Sequence, residues 1–151
     1  MAGRKLRRRN KLAKQNGMKA EEIAVQYLST FFDDGELIEI VNSIIDIVIN
    51  DSIPVEVKSC QEKIKDASES KGYRAGRFTL NKEQHNYLVS RKGYYLFIVF
   101  LENGNCLIRF VKASLIPYKQ KLTWWKLFDY IDENNKRDDD VLEKEEYIEK
   151  N

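Results

Sequence analysis

The sequence predicts a single α/β domain with a central mixed β-sheet flanked by helices, and three observations carry that expectation. Hydrophobic spacing switches from helical to strand-like and back along the chain. The resulting order is helix, three strands, helix, two strands, helix, an alternation suited to an α/β architecture. A length of 151 residues, 42% hydrophobic and 33% charged, is ample for one domain and short for two.

The elements follow in order. Ala20, Ile23, Ala24, Tyr27, Leu28 and Phe31 recur at helical spacing, so a helix is predicted from about Met18 to Phe32, ended by Asp33-Asp34-Gly35. Leu37 to Val41 reads as a strand, and two further strands lie within Ile44–Ser59 on either side of Asn50-Asp51-Ser52. Gln61 to Gly76 is polar, contains Gly72 and Gly76, has no apolar period and is predicted to be a loop. Thr79 or Asn81 can cap a helix to about Arg91, with Leu80, Gln84, Tyr87 and Leu88 on one face. Tyr94 to Leu101 is almost continuously apolar, as a strand buried on both faces would be. Asn103-Gly104 signals a hairpin that returns through Cys106 to Val111. Thr123 to Asn134 is the last predicted helix, with Trp124, Leu127, Phe128 and Ile131 as its apolar stripe and Trp125 left for a partner surface.

Charge is unevenly spread. Residues 1–20 hold eight Lys or Arg and no acid, whereas residues 132–151 hold nine acids against four bases. The expected organisation is a basic arm at 1–16, a domain at 17–131 and an acidic tail at 132–151. A basic arm is the electrostatic footprint of nucleic-acid binding, with Arg7, Arg8 and Arg9 at its centre. No apolar run approaches the roughly 20 residues of a membrane span, and no apolar segment follows the basic start as it would in a secretory signal. Cys60 and Cys106 have no CxxC neighbours, and His85 is the one histidine, so a His/Cys metal cage is excluded. Two free cysteines suit a reducing, cytoplasmic setting.

Chemistry concentrates in Ile44–Ser59. Alternation puts Glu56 and Lys58 on one face of their strand and Val55 and Val57 on the other. If Asn50-Asp51-Ser52 turns a hairpin, Ile49 meets Ile53, Val48 meets Pro54 and Asp46 falls opposite Glu56. Two carboxylates in that position repel each other, and a divalent cation between them removes the objection, since magnesium takes hard oxygen ligands. Lys58 would then stand beside an activated water, and the Val57 carbonyl could be a further ligand. The loop after this strand carries Lys63, Lys65, Lys71, Arg74 and Arg77, cations able to follow a phosphate backbone without reading bases. Tyr73 and Phe78 in the same stretch could stack on bases or pack in the core.

Gly17-x-x-Ala20-Glu21, then Ser43-Ile44-Ile45-Asp46-Ile47-Val48, then Val55-Glu56-Val57-Lys58 occur in this order over about Gly17 to Phe100. The series resembles the PD-(D/E)XK nuclease superfamily, and most closely the archaeal Holliday junction resolvases. The resemblance implies a restriction-endonuclease-like domain in which Asp46 and Glu56 bind Mg2+, with Mn2+ able to substitute. It implies that Lys58 assists the attacking water and that Glu21, with Glu22 as runner-up, approaches the metal from the first helix. Ser43 matches a serine near the scissile phosphate, and Gln84 a glutamine that some branches place after the ExK strand. The implied activity is hydrolysis of phosphodiester bonds in branched DNA by a homodimer serving recombination and repair. Ile45 stands where the superfamily's name has proline. The alternatives are another endonuclease of the superfamily, of restriction, repair or mobile-element type, or a DNA-binding module that does not cleave.

Overall fold

Residues 19–30, 38–40, 47–49, 52–65 and 72–134 are described by a computed structural model. A helix at 19–29 (α1) precedes β1 (Ile38–Ile40), β2 (Ile47–Ile49), β3 (Ile53–Gln61), β4 (Lys63–Lys65), β5 (Tyr73–Ala75) and β6 (Arg77–Thr79). Then come α2 (Lys82–Ser90), β7 (Tyr94–Phe100), β8 (Cys106–Lys112), a 3-10 turn at Ala113–Leu115, β9 (Lys121–Thr123) and α3 (Trp124–Glu133).

Five strands form one mixed sheet in the order β1-β2-β3-β7-β8, in which only the β3–β7 pair is parallel. The hairpin register expected between β2 and β3 is present: Ile49 faces Ile53, Val48 faces Pro54 and Ile47 faces Val55. Ser52 closes the connection by donating its N–H to the Ile49 carbonyl, at 3.2 Å. Parallel pairing of β3 with β7 needs a crossover, and the segment through α2 supplies it.

Alternation along β7 divides the core into two layers. Leu96 and Ile98 join Val55, Val57, Ile47 and Ile49 beneath α1, whose Ala20, Ala24, Tyr27 and Leu28 are all buried. Tyr95, Phe97 and Val99 face the other way, into a cluster closed by Leu88 of α2 and by Leu127, Phe128 and Ile131 of α3. Both faces of β7 are therefore covered, as its continuous apolar run predicts. Phe78 of β6, fully buried, packs its ring 4.8 Å from Phe97 and 6.1 Å from Phe128. Truncating such a phenylalanine to alanine typically costs about 3–5 kcal/mol.

Local chemistry sets the boundaries. Asn81 caps α2, its side-chain oxygen accepting the Gln84 N–H at 3.0 Å. The Leu101–Gly104 turn is closed by the Gly104 N–H on the Leu101 carbonyl, and Gly104 takes φ +91°, a conformation that suits glycine. Asp132, near the end of α3, takes both Nε and Nη2 of Arg109 at 3.0 and 3.2 Å, tying the helix to β8.

The loop expected at Gln61–Gly76 is corrected. Gln61 completes β3, and β4 and β5 form a two-stranded antiparallel ribbon that pairs Lys63 with Ala75, Ile64 with Arg74 and Lys65 with Tyr73. Lys63, Lys65 and Tyr73 are exposed and Ile64, Arg74 and Ala75 only half-buried, so the ribbon has no apolar period to betray it. A second short pair, β6 with β9, is equally hidden in the sequence. The expected face of α2 is also shifted: His85 and Leu88 are its buried residues, while Tyr87 is exposed.

Candidate active site

Glu56 lies at the middle of β3, one residue beyond the last described pair with β2, and is buried to 5% exposure. A carboxylate so placed is costly unless paired. Lys58, two residues along the same face, sets its Nζ 3.5 Å from Glu56 Oε1 and remains partly open to solvent. Strand alternation thus delivers both groups to one side of the sheet, the side covered by α2 and α3, while Val55 and Val57 pack under α1.

Parallel register places Tyr95 of β7 beside Glu56 and Phe97 beside Lys58. Tyr95 is fully buried, and its hydroxyl shares a 2.8 Å hydrogen bond with His85 Nδ1. The His85 ring also lies 5.7 Å from that of Tyr95 and 5.6 Å from that of Tyr118. Burial, then the Glu56 carboxylate, then Tyr118 hold the Tyr95 phenol above its usual range, so it stays protonated. Burial lowers the His85 pKa and favours the neutral ring. Sequence alone singles out neither residue for this site. Tyr95 reads as one more member of an apolar run, and its place beside Glu56 follows from a pairing between distant segments.

The remaining expected residues separate. Asp46, Ser43, Lys71, Arg7, Arg8 and Arg9 lie outside the described residues. Glu21 is half-buried and Glu22 exposed, both on α1. Gln84 is half-buried on α2, in the layer that covers the Glu56 face. Lys63 and Lys65 sit on β4, Arg74 on β5 and Arg77 on β6, with both lysines and Arg77 exposed. Phe78 belongs to the core, while Tyr73 is 59% exposed and Trp125 46%. Among the described residues, no three His, Cys, Asp or Glu side chains cluster to hold a metal ion. Glu56 and the neighbouring Val57 carbonyl are hard oxygen donors of the kind Mg2+ takes.

A sequence profile described as a PD-(D/E)XK nuclease superfamily domain matches residues 7–139, most of the chain. The chain belongs to the PD-(D/E)XK nuclease superfamily. Its mixed sheet with helices on both faces is consistent with the restriction-endonuclease-like fold of that superfamily. Membership supports a nuclease-type function, with DNA as the implied substrate and divalent metals as the cofactors that such nucleases generally use. No curated protein and no solved structure matched the chain. Among the described residues, no helix is long and apolar enough to cross a membrane.

Proposed function

We propose that this PD-(D/E)XK protein is a Mg2+-dependent DNA endonuclease that hydrolyses branched DNA of the four-way-junction type as a homodimer. The observation that carries the chemistry is Glu56 and Lys58 side by side on one face of β3, 3.5 Å apart, in a hairpin of the register the sequence leads one to expect. Asp46, Glu56 and the Val57 carbonyl would hold the ion. The bound divalent ion supplies charge neutralisation at the phosphate and a lowered pKa for a water.

Lys58 orients that water as a hydrogen-bond donor and offsets charge on the phosphate. In the free protein Lys58 Nζ stands 3.5 Å from Glu56 Oε1 and offsets the cost of burying that carboxylate. Gln84 steadies the site from α2, and Glu21, on the helix that covers the opposite Val55–Val57 face, could reach the ion only around the end of the sheet. The cations of the β4–β5 ribbon and of the arm grip phosphates on either side. Preference for branched DNA rests on the motif order Gly17-x-x-Ala20-Glu21, Asp46, Glu56-x-Lys58, which resembles that of the junction resolvases.

Cleavage of a mobile four-way junction with Mg2+, beside a linear duplex of matching sequence, tests the proposal. Paired symmetric cuts in the junction alone are expected. Equal cutting of the duplex would reassign the chain to another endonuclease type within the superfamily. No cutting of any DNA with Mg2+ or Mn2+ would leave it a binding module.

A further inference from the structure

We infer that the groove between the β4–β5 ribbon and the start of α3 binds an unpaired nucleotide of the DNA substrate. The inference rests on the reading of the chain as a DNA endonuclease and adds a substrate feature to it. The groove has a volume of about 580 Å³ and is lined by Glu62, Lys63, Tyr73, Arg74, Glu102 and Trp125, over a floor of Ala75 and Trp124. That volume falls within the roughly 300–1,000 Å³ of small-molecule pockets.

Its floor is held in place by hydrogen bonds. The Trp124 indole N–H donates to the Glu62 carbonyl at 3.0 Å, and the Trp124 backbone N–H donates to the Gly76 carbonyl at 3.1 Å. Gly76 in turn donates to the Glu62 carbonyl at 3.2 Å, and Glu62 to that of Phe100 at 2.9 Å. A side chain at Gly76 would run into the Gln61 carbonyl, so the ribbon can lie this close to the end of β3 only with glycine there.

The walls carry the recognition. Tyr73 and Trp125 are two of the large hydrophobic side chains this protein leaves exposed, and both line this groove. Every base offers a π-face, so aromatic walls bind unpaired bases without reading sequence. Lys63 and Arg74 supply positive charge at the same rim, and the Lys126 ammonium lies 5.5 Å from the Trp125 ring centre. The Lys63–Glu102 ion pair, at 3.9 Å and well exposed, is weak enough for a phosphate to displace. Glu62 and Glu102 repel a continuous phosphate ridge but can accept the exocyclic amines of a base. The mixture suits a nucleotide turned out of the helix better than an intact duplex.

The position fits the nuclease site. Trp124 packs on the same core layer as Cys60, which lies two residues beyond Lys58 on the Glu56 face of β3. Glu62 follows Lys58 by four residues and Glu56 by six. At ~3.3 Å per residue, the groove begins about 13–20 Å from the site, or about four to six nucleotide steps.

The test uses the full chain with Glu56→Gln, and a DNA duplex carrying a single-stranded tail with 2-aminopurine at one unpaired position. A blunt duplex of equal length is the control. Binding is expected to quench the 2-aminopurine. Trp125→Ala and Tyr73→Leu should each abolish the quench and weaken tailed-DNA binding about 10-fold, with under about 2-fold effect on blunt duplex. Trp125→Phe, which keeps a ring, should retain most of both. Equal losses on the two DNAs, or no loss on the tailed one, would overturn the inference and leave the groove to a protein segment. Both side chains are exposed, so thermal unfolding should stay unchanged and confirms folded variants. The readout needs no cleavage. An absence of cleavage on every DNA would sink the endonuclease reading alone, and indifference to the tail would sink the groove alone.

Discussion

Lys58 Nζ stands 3.5 Å from Glu56 Oε1, and the pair projects from one strand two residues apart. The contact couples two requirements. The lysine makes burial of the carboxylate tolerable, and under the proposed function it also keeps an ammonium group beside the attacking water.

Glu56→Gln should abolish Mg2+-dependent cleavage while DNA binding persists, and Asp46→Asn should do the same. Lys58 keeps some solvent exposure, so losing its partner should not prevent folding. Electrophoresis of cleavage products beside a binding titration decides the matter. Retained cleavage in either variant removes the carboxylates from the chemistry.

Lys58→Ala should slow cleavage by about 10²–10⁴-fold, the usual worth of a positioned acid–base group. Affinity for the metal should hold, because an ammonium group is not a ligand. A rate within a few-fold of the parent protein would reduce Lys58 to a counter-charge for Glu56.

Stability should fall as the solution is acidified through the histidine range. Burial lowers the His85 pKa below its usual 6.5, so between the two values the unfolded chain binds more protons than the folded one. The stabilisation is complete above pH about 6.5 and is lost as pH drops toward the folded value. One such proton gives a slope of at most about 1.4 kcal/mol per pH unit. Urea unfolding across this window should show the slope, and His85→Gln should flatten it.

The two cysteines should differ in reactivity. Burial pushes the Cys60 thiol up to about 12, whereas Cys106 is half-buried and its upward shift is opposed by Lys19. Iodoacetamide at pH 8 should therefore label Cys106 first, as read by peptide mass spectrometry. Equal rates would mean that β3 opens readily at Cys60.

Removing residues 1–16 should weaken DNA binding and flatten its salt dependence. The log–log slope should drop by about 0.9 for each phosphate the arm no longer neutralises. Cleavage at saturating protein should survive, since the residues assigned to chemistry begin at Glu21. An unchanged slope would show that the arm does not touch DNA.

Local pattern makes the hairpin legible. Paired isoleucines, Pro54 in a strand and a short polar break specify one register, and that register places Glu56. The buried strand at Tyr94–Phe100 and the stripe of Leu127, Phe128 and Ile131 are legible for the same reason, a strong period in burial. The Lys63–Lys65 and Tyr73–Ala75 ribbon is not, because none of its side chains is fully buried and it is paired through backbone bonds. The surroundings of Glu56 are hidden too. Tyr95, to which His85 is hydrogen-bonded, comes beside Glu56 only because β3 pairs in parallel with β7.

That choice has a kinetic consequence. Val55 pairs with Tyr94, about forty residues later in the chain, so the floor of the site forms only after a long stretch has been closed into a loop. Glu56 can meet Lys58 within a single strand, whereas Tyr95 reaches it only through the parallel pairing. The Glu56–Lys58 pair is therefore local in the chain while its surroundings are not, and a truncation before Tyr94 would leave the pair without its neighbouring strand.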